Sequence, residues 1–184
     1  ASLEEAKEEA ALGQSAQAGS AVSSGGMTPS QIYAQACRQV VGISTEVTYS
    51  NFFGMTSSSA VGGTVFIVSQ NGYIVTNYHV VEYAYKGKRA VSVMLHDGTK
   101  YDASIIGVDE SSDVAVLKID AANLTPVTIG DSDALSVGDD IYAVGNPLGE
   151  LDFSMSSGHV SALNRLITTE ANTEAINMFQ VDAA

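Results

Sequence analysis

Apolar and polar positions along this chain fall into short alternating runs, the pattern of half-buried β-strands. Such runs predict strands at 41–47, 61–69, 73–77, 90–95, 101–108 and 114–119. Within one of them Val91, Val93 and Leu95 alternate with Ser92 and Met94, which sets one apolar face against one polar face. Asn71-Gly72 and Asp97-Gly98 stand between runs and read as hairpin turns that need positive φ. Six strands of this length are enough to close a small antiparallel barrel. A second series, at 141–145, 153–163 and 176–181, reads as part of another barrel. His79 is expected at the end of an apolar strand, and Asp113 at the start of another.

Ahead of the strands the pattern differs. Residues 1–26 combine an Ala/Glu run with a Gly/Ser/Gln/Ala tract and read as a flexible tether. Thr28, Pro29 and Gln31 form a helix-start signal, with Thr28 as cap and Gln31 closing a capping box. Ile32, Ala36, Cys37, Val40 and Val41 then make one apolar face, so Cys37 is expected in the core. The resulting organisation is a tether at 1–26, a short helix with a first barrel at 27–124, and an incomplete second barrel at 125–184.

Composition narrows the function classes. The chain has 184 residues and a formal net charge of −13, from 8 Lys and Arg against 21 Asp and Glu. A surface so acidic repels phosphate backbones and anionic headgroups, which argues against nucleic acid as a partner. Cys37 is the single cysteine, so neither an intramolecular disulfide nor a cysteine-based zinc site can form. The three histidines do not stand at helical ligand spacing, and no metal site is expected. No run of about 18 apolar residues is present to span a bilayer.

His79 and Asp113 are the candidate chemistry. An acid at the mouth of an apolar strand needs hydrogen-bond partners and favours a neighbouring cation. A histidine beside it would be held in one tautomer, leaving its other ring nitrogen free to take a proton. His96, before a hairpin turn, and His159 are expected to face solvent.

The stretches around these residues resemble the HtrA (DegP-like) serine proteases. Gly63-Thr64-Val65-Phe66-Ile67-Val68 leading to Thr76-Asn77-Tyr78-His79-Val80-Val81 is similar to the family's histidine region. The run from Asp109 through Asp113 to Ile119 is similar to its aspartate region. Ala143 to Gly149, Ser157 to Leu163 and Gln180 to Ala184 follow in the family's order. The resemblance implies an all-β, chymotrypsin-like double β-barrel, the first barrel complete and the second partial. It implies His79 as general base and Asp113 as its orienting partner. It also assigns Pro147, Leu148, Gly149, Glu150 and Leu151 to a loop that helps order the active site.

By the same resemblance the intact enzyme is a serine endopeptidase acting on unfolded or misfolded polypeptides in extracytoplasmic quality control. It needs no cofactor, assembles as a trimer or larger, and is secreted, periplasmic or anchored through a segment upstream. The family's nucleophile and oxyanion donors lie in a Gly-Asn-Ser-Gly-Gly tract that these residues do not contain, so the chain alone is expected to be inactive. A competing expectation is non-enzymatic: a fragment that binds unfolded chains, or a partner fragment, through an open barrel. Small-molecule binding inside the barrel is the weakest, because small barrels are filled by their own side chains.

Overall fold

The computed structural model describes residues 26–50, 56–145, 153–169 and 172–183. Its first element, α1 (Pro29–Ala36), is capped as its sequence specifies. The Thr28 hydroxyl accepts from the Gln31 backbone, the Gln31 side chain accepts from the Thr28 backbone, and Pro29 opens the helix. No residue of α1 is buried, and Cys37 at its C-terminus is half-buried. The expectation of Cys37 in the core is therefore corrected. The helix lies on the outside of the barrel, and only Val41 from that face enters it.

Six strands follow: β1 (Val40–Ser50), β2 (Thr56–Ile67), β3 (Tyr73–Thr76), β4 (Val91–Met94), β5 (Lys100–Asp109) and β6 (Val114–Ile119). They close into an antiparallel barrel in the order β1-β2-β3-β6-β5-β4. Each strand pairs with two neighbours in the closed sheet, and their inward residues make the core. Val41 and Ile43, Val65 and Ile67, Val91 and Val93 each contribute an i, i+2 pair to it. Full burial of one such side chain is worth about 1.5–3 kcal/mol.

The sequence pattern missed one element. Between β3 and β4 the chain forms a helix, α2 (Tyr78–Gly87), so β3 ends at Thr76 and His79 stands in the first turn of a helix, not at a strand end. The reason is tertiary. Val80, Val81 and the tyrosines disfavour helix locally, but Val81 and Ala84 are buried in the barrel core and hold α2 against it. Tyr78, Val81 and Ala84, at intervals of three, are its buried face.

A second sheet pairs β7 (Asp140–Gly145), β8 (Ser154–Thr169) and β9 (Asn172–Val181) in that order, all antiparallel. β8 and β9 run longer than their apolar patterns suggested, because backbone pairing continues from Val160↔Val181 out to Thr169↔Asn172. Exposed polar residues satisfy that ladder as well as apolar ones. Leu166, Ile167 and Phe179 on this hairpin are exposed.

The turn into β3 depends on one glycine. Gly72 has φ +98, and a Cβ there would lie 2.3 Å from the Ile119 carbonyl oxygen. The same segment is tied to the end of β6, since Ile119 N–H donates to the Gly72 carbonyl at 3.0 Å. Gly72→Ala is therefore expected to lower stability by about 2 kcal/mol or more, read as a lower denaturant midpoint at unchanged slope.

Candidate active site

The C-terminal end of β3 and the N-terminal end of β6 are neighbours, because the two strands pair with Thr76 opposite Ala115. That register brings the start of α2 beside the turn preceding Val114. Asp113 closes the turn with φ +52, a left-handed conformation that aspartate tolerates better than most residues.

Asp113 does the work of an N-cap for a helix that lies 34 residues earlier in the chain. Its carbonyl accepts from the Tyr78 N–H at 3.1 Å. One carboxylate oxygen, Oδ1, accepts from the His79 N–H at 2.9 Å. The other, Oδ2, lies 2.7 Å from His79 Nδ1 and accepts from Asn77 Nδ2 at 3.2 Å. Asn77, at the usual cap position, makes no cap bond of its own; its amide is spent on Asp113, including the Asp113 carbonyl at 3.2 Å. A negative charge at a helix N-terminus is also favoured by the helix dipole.

Chemically, this holds His79 at its backbone N–H and at one ring nitrogen, Nδ1. The Asp113 carboxylate accepts a hydrogen bond from Nδ1–H, so the neutral ring carries its lone pair on Nε2. The His79 side chain is 52% exposed while that of Asp113 is 17% exposed. A covered carboxylate with three donors converging on it therefore orients a ring whose basic nitrogen is open to a substrate.

Two further contacts fix the Glu110–Asp113 turn. The buried Tyr78 hydroxyl donates to Glu110 Oε1 at 2.9 Å, tying the first residue of α2 to the turn. Burial, and then this bond, push the Tyr78 phenol above its ordinary value, so it remains a donor. Asp109 organises the other side: its carboxylate accepts from Ser111 N–H at 3.0 Å, Ser111 Oγ at 2.7 Å and Ser112 Oγ at 3.0 Å. Those bonds, the one from the Ser111 side chain first, hold the Asp109 carboxyl below the usual carboxylate range.

The structure thus brings together His79 and Asp113, the two residues singled out by the sequence. It adds Asn77, Tyr78, Glu110 and Asp109 around them. The spacing Asp109-Glu110-Ser111-Ser112-Asp113 carries the signal of an aspartate-led turn, from which Asp109 could have been read. Asn77 had a weaker signal, a cap-type residue before a helix whose existence the local sequence hides. Pro147, Leu148, Gly149, Glu150 and Leu151 lie outside the described residues.

His96 is exposed, as expected. His159 is exposed too, but it is flanked: Nε2 is 3.3 Å from Asp140 Oδ1 and Nδ1 is 3.7 Å from Asp182 Oδ2. Its backbone N–H donates to Asp182 Oδ1 at 2.6 Å, and this bond is the main cause of a depressed Asp182 carboxyl. Among the described residues no group of three His, Cys, Asp or Glu side chains is placed to share a metal ion.

Comparison with known proteins shows the family. The family model for a trypsin-like peptidase domain matches residues 63–184. The chain belongs to the trypsin-like peptidases. Within them it is of the HtrA/DegP type. It is 48% identical over 126 residues to a probable periplasmic serine endoprotease, DegP-like, of Chlamydia muridarum (strain MoPn / Nigg), over 64% of this chain and 24% of that protein. It is 45% identical over 126 residues to the periplasmic serine endoprotease DegP of Escherichia coli (strain K12), over 68% of this chain and 25% of that one. The chain thus spans about a quarter of the length of these curated relatives.

Among solved structures, the HtrA-type protease AlgW with a decapeptide superimposes with a TM-score of 0.70 at 30% identity, covering 85% of this chain and 52% of that one. The crystal structure of Deg5 gives a TM-score of 0.64 at 31% identity, over 83% and 71% of the two chains. The trypsin-like fold is therefore chymotrypsin-like, with a closed first barrel followed by the β7-β8-β9 sheet.

The Asp109 turn yields a prediction with a definite sign. A carboxyl held low in the folded state contributes stability that is present above its unfolded value and lost as pH falls through the folded one. Asp109→Asn is expected to be slightly less stable than the parent at neutral pH. The gap should narrow as pH falls below the usual carboxylate range, as followed by thermal melts across a pH series. A gap that widens on acidification would contradict the role assigned to Asp109.

Proposed function

We propose that the protein is a serine endopeptidase in which His79 is the general base and Asp113 the group that orients it. The observation that carries this reading is the 2.7 Å contact between His79 Nδ1 and Asp113 Oδ2 on a ring otherwise open to solvent. The relatives' description as periplasmic serine endoproteases supports the same reaction class and a site of action outside the cytoplasm. In that reaction a serine hydroxyl attacks the scissile carbonyl as His79 Nε2 takes its proton. The imidazolium is stabilised by Asp113 and then returns the proton to the leaving amine. Unfolded or misfolded polypeptides are the substrate class, because an extended chain can bring its peptide bonds to the exposed His79 ring. Assembly as a trimer or larger, and tethering through an upstream membrane anchor, belong to the same proposal.

None of the serines in these 184 residues stands in a Gly-Asn-Ser-Gly-Gly tract. By itself this chain is accordingly proposed to be inactive, supplying the base and its partner but neither nucleophile nor oxyanion donors. One observation favours a second reading, the binding of unfolded chains or of a partner fragment without catalysis. The β7-β8-β9 sheet is open, and Leu166 and Phe179 on it are 74% and 50% exposed.

Fluorophosphonate labelling read by intact mass separates these readings. The protein that carries the nucleophile should be labelled at a serine, and His79→Ala should slow labelling by about a thousandfold or more. The 184-residue chain alone should take no label and should not hydrolyse casein. A His79→Ala protein labelled as fast as the parent would overturn the assignment of His79.

A further inference from the structure

An asparagine at a helix N-terminus ordinarily turns its side-chain oxygen onto a backbone N–H two or three residues on. Asn77 stands at the cap of α2 with φ −75 and ψ 143, yet its side chain makes no cap bond. The N–H two residues on, that of His79, is taken by Asp113 Oδ1 at 2.9 Å. The Asn77 amide instead donates to two acceptors of one residue, the Asp113 carbonyl and Asp113 Oδ2, both at 3.2 Å. A carbonyl and a carboxylate can only accept, so the amide is fixed with its nitrogen towards Asp113. The residue at the cap position has become a donor, and the acid from the far strand has become the cap.

We propose that Asn77 is a positioning residue for proton transfer at His79, acting through the Asp113 carboxylate. The inference rests on the peptidase reading above. Oδ2 is shared: it accepts from Asn77 Nδ2 and lies 2.7 Å from His79 Nδ1. Held by His79 alone, the carboxylate could turn about its Cβ–Cγ bond and meet the ring off line. A further donor on Oδ2 removes that freedom and keeps Oδ2 on the ring while Oδ1 stays on the helix. The turn itself does not need Asn77. It is tied to α2 by the Tyr78 N–H on the Asp113 carbonyl at 3.1 Å, and by the Tyr78 hydroxyl on Glu110 at 2.9 Å. Val81 and Ala84 keep α2 in the core. Loss of the Asn77 amide therefore loosens the carboxylate and leaves helix and turn in place.

Asn77→Asp separates this role from capping. Aspartate caps a helix as well as asparagine does and suits its dipole, but it has no donor and sets a second negative charge against Asp113. Asn77→Gly, which costs a cap little, removes the amide without adding charge. In the full-length protein both variants are expected to lower kcat for peptide cleavage by about tenfold to a hundredfold, with KM little changed. Fluorophosphonate labelling should slow alongside. Thermal melts check that each variant is folded at the assay temperature; where charge repulsion unfolds Asn77→Asp, Asn77→Gly decides the matter. A second readout needs no turnover. The proton on His79 Nδ1, held against a carboxylate, gives a far-downfield proton NMR resonance, identified by its loss in His79→Ala. That resonance should shift or broaden in Asn77→Gly. Cleavage and labelling within about twofold of the parent in Asn77→Gly, or an unchanged resonance, would overturn the proposal. Failure of the peptidase reading looks different: the parent itself would take no label at any serine.

Discussion

Asp113 is the residue on which the arrangement depends. It caps the N-terminus of α2 with both its carbonyl and its carboxylate, and the same carboxylate orients the His79 ring. One acid therefore sets where the helix begins and which ring nitrogen is basic. The cost is a left-handed backbone at a residue with a side chain. That conformation points the carbonyl and the side chain of Asp113 at one helix end together. Asn77, Glu110 and Asp109 then fill out a polar frame around a site whose floor is apolar.

The barrel explains why this frame is rigid. β3 and β6 are neighbours in a closed sheet, so His79 and Asp113 are held by the pairing of Thr76 with Ala115 and not by the loops alone. Val81 and Ala84 extend the core into α2, so a movement of the helix would open space among fully buried residues. An imidazole carried on a packed helix and a carboxylate carried at a strand end keep their separation without help from a bound molecule.

Much of the barrel was legible from the sequence, since alternation of apolar and polar residues reports directly which side of a strand is buried. The capping box at Thr28 and Gln31 and the turn at Gly72 were legible for a similar reason: each is decided by neighbours in sequence. His79 and Asp113 could be named as a pair from an acid at the mouth of an apolar strand and from the family resemblance, although His79 stands on α2 and not at a strand end. Cys37 was misplaced because periodicity shows which residues share a face, but not whether that face meets the core or lies outside it.

What the sequence could not settle on its own was α2. Its valines and tyrosines suit a strand as well as a helix. Helix is selected by a cap donated from Asp113 and by burial of Val81 and Ala84, both of which come from the far side of the barrel. The polar frame of the site has the same origin. Local chemistry determined the strands and the turns, and it marked Asp113 as an acid in need of partners. Tertiary structure decided the helix that carries His79, because the partners that stabilise it exist only once β3 and β6 are paired.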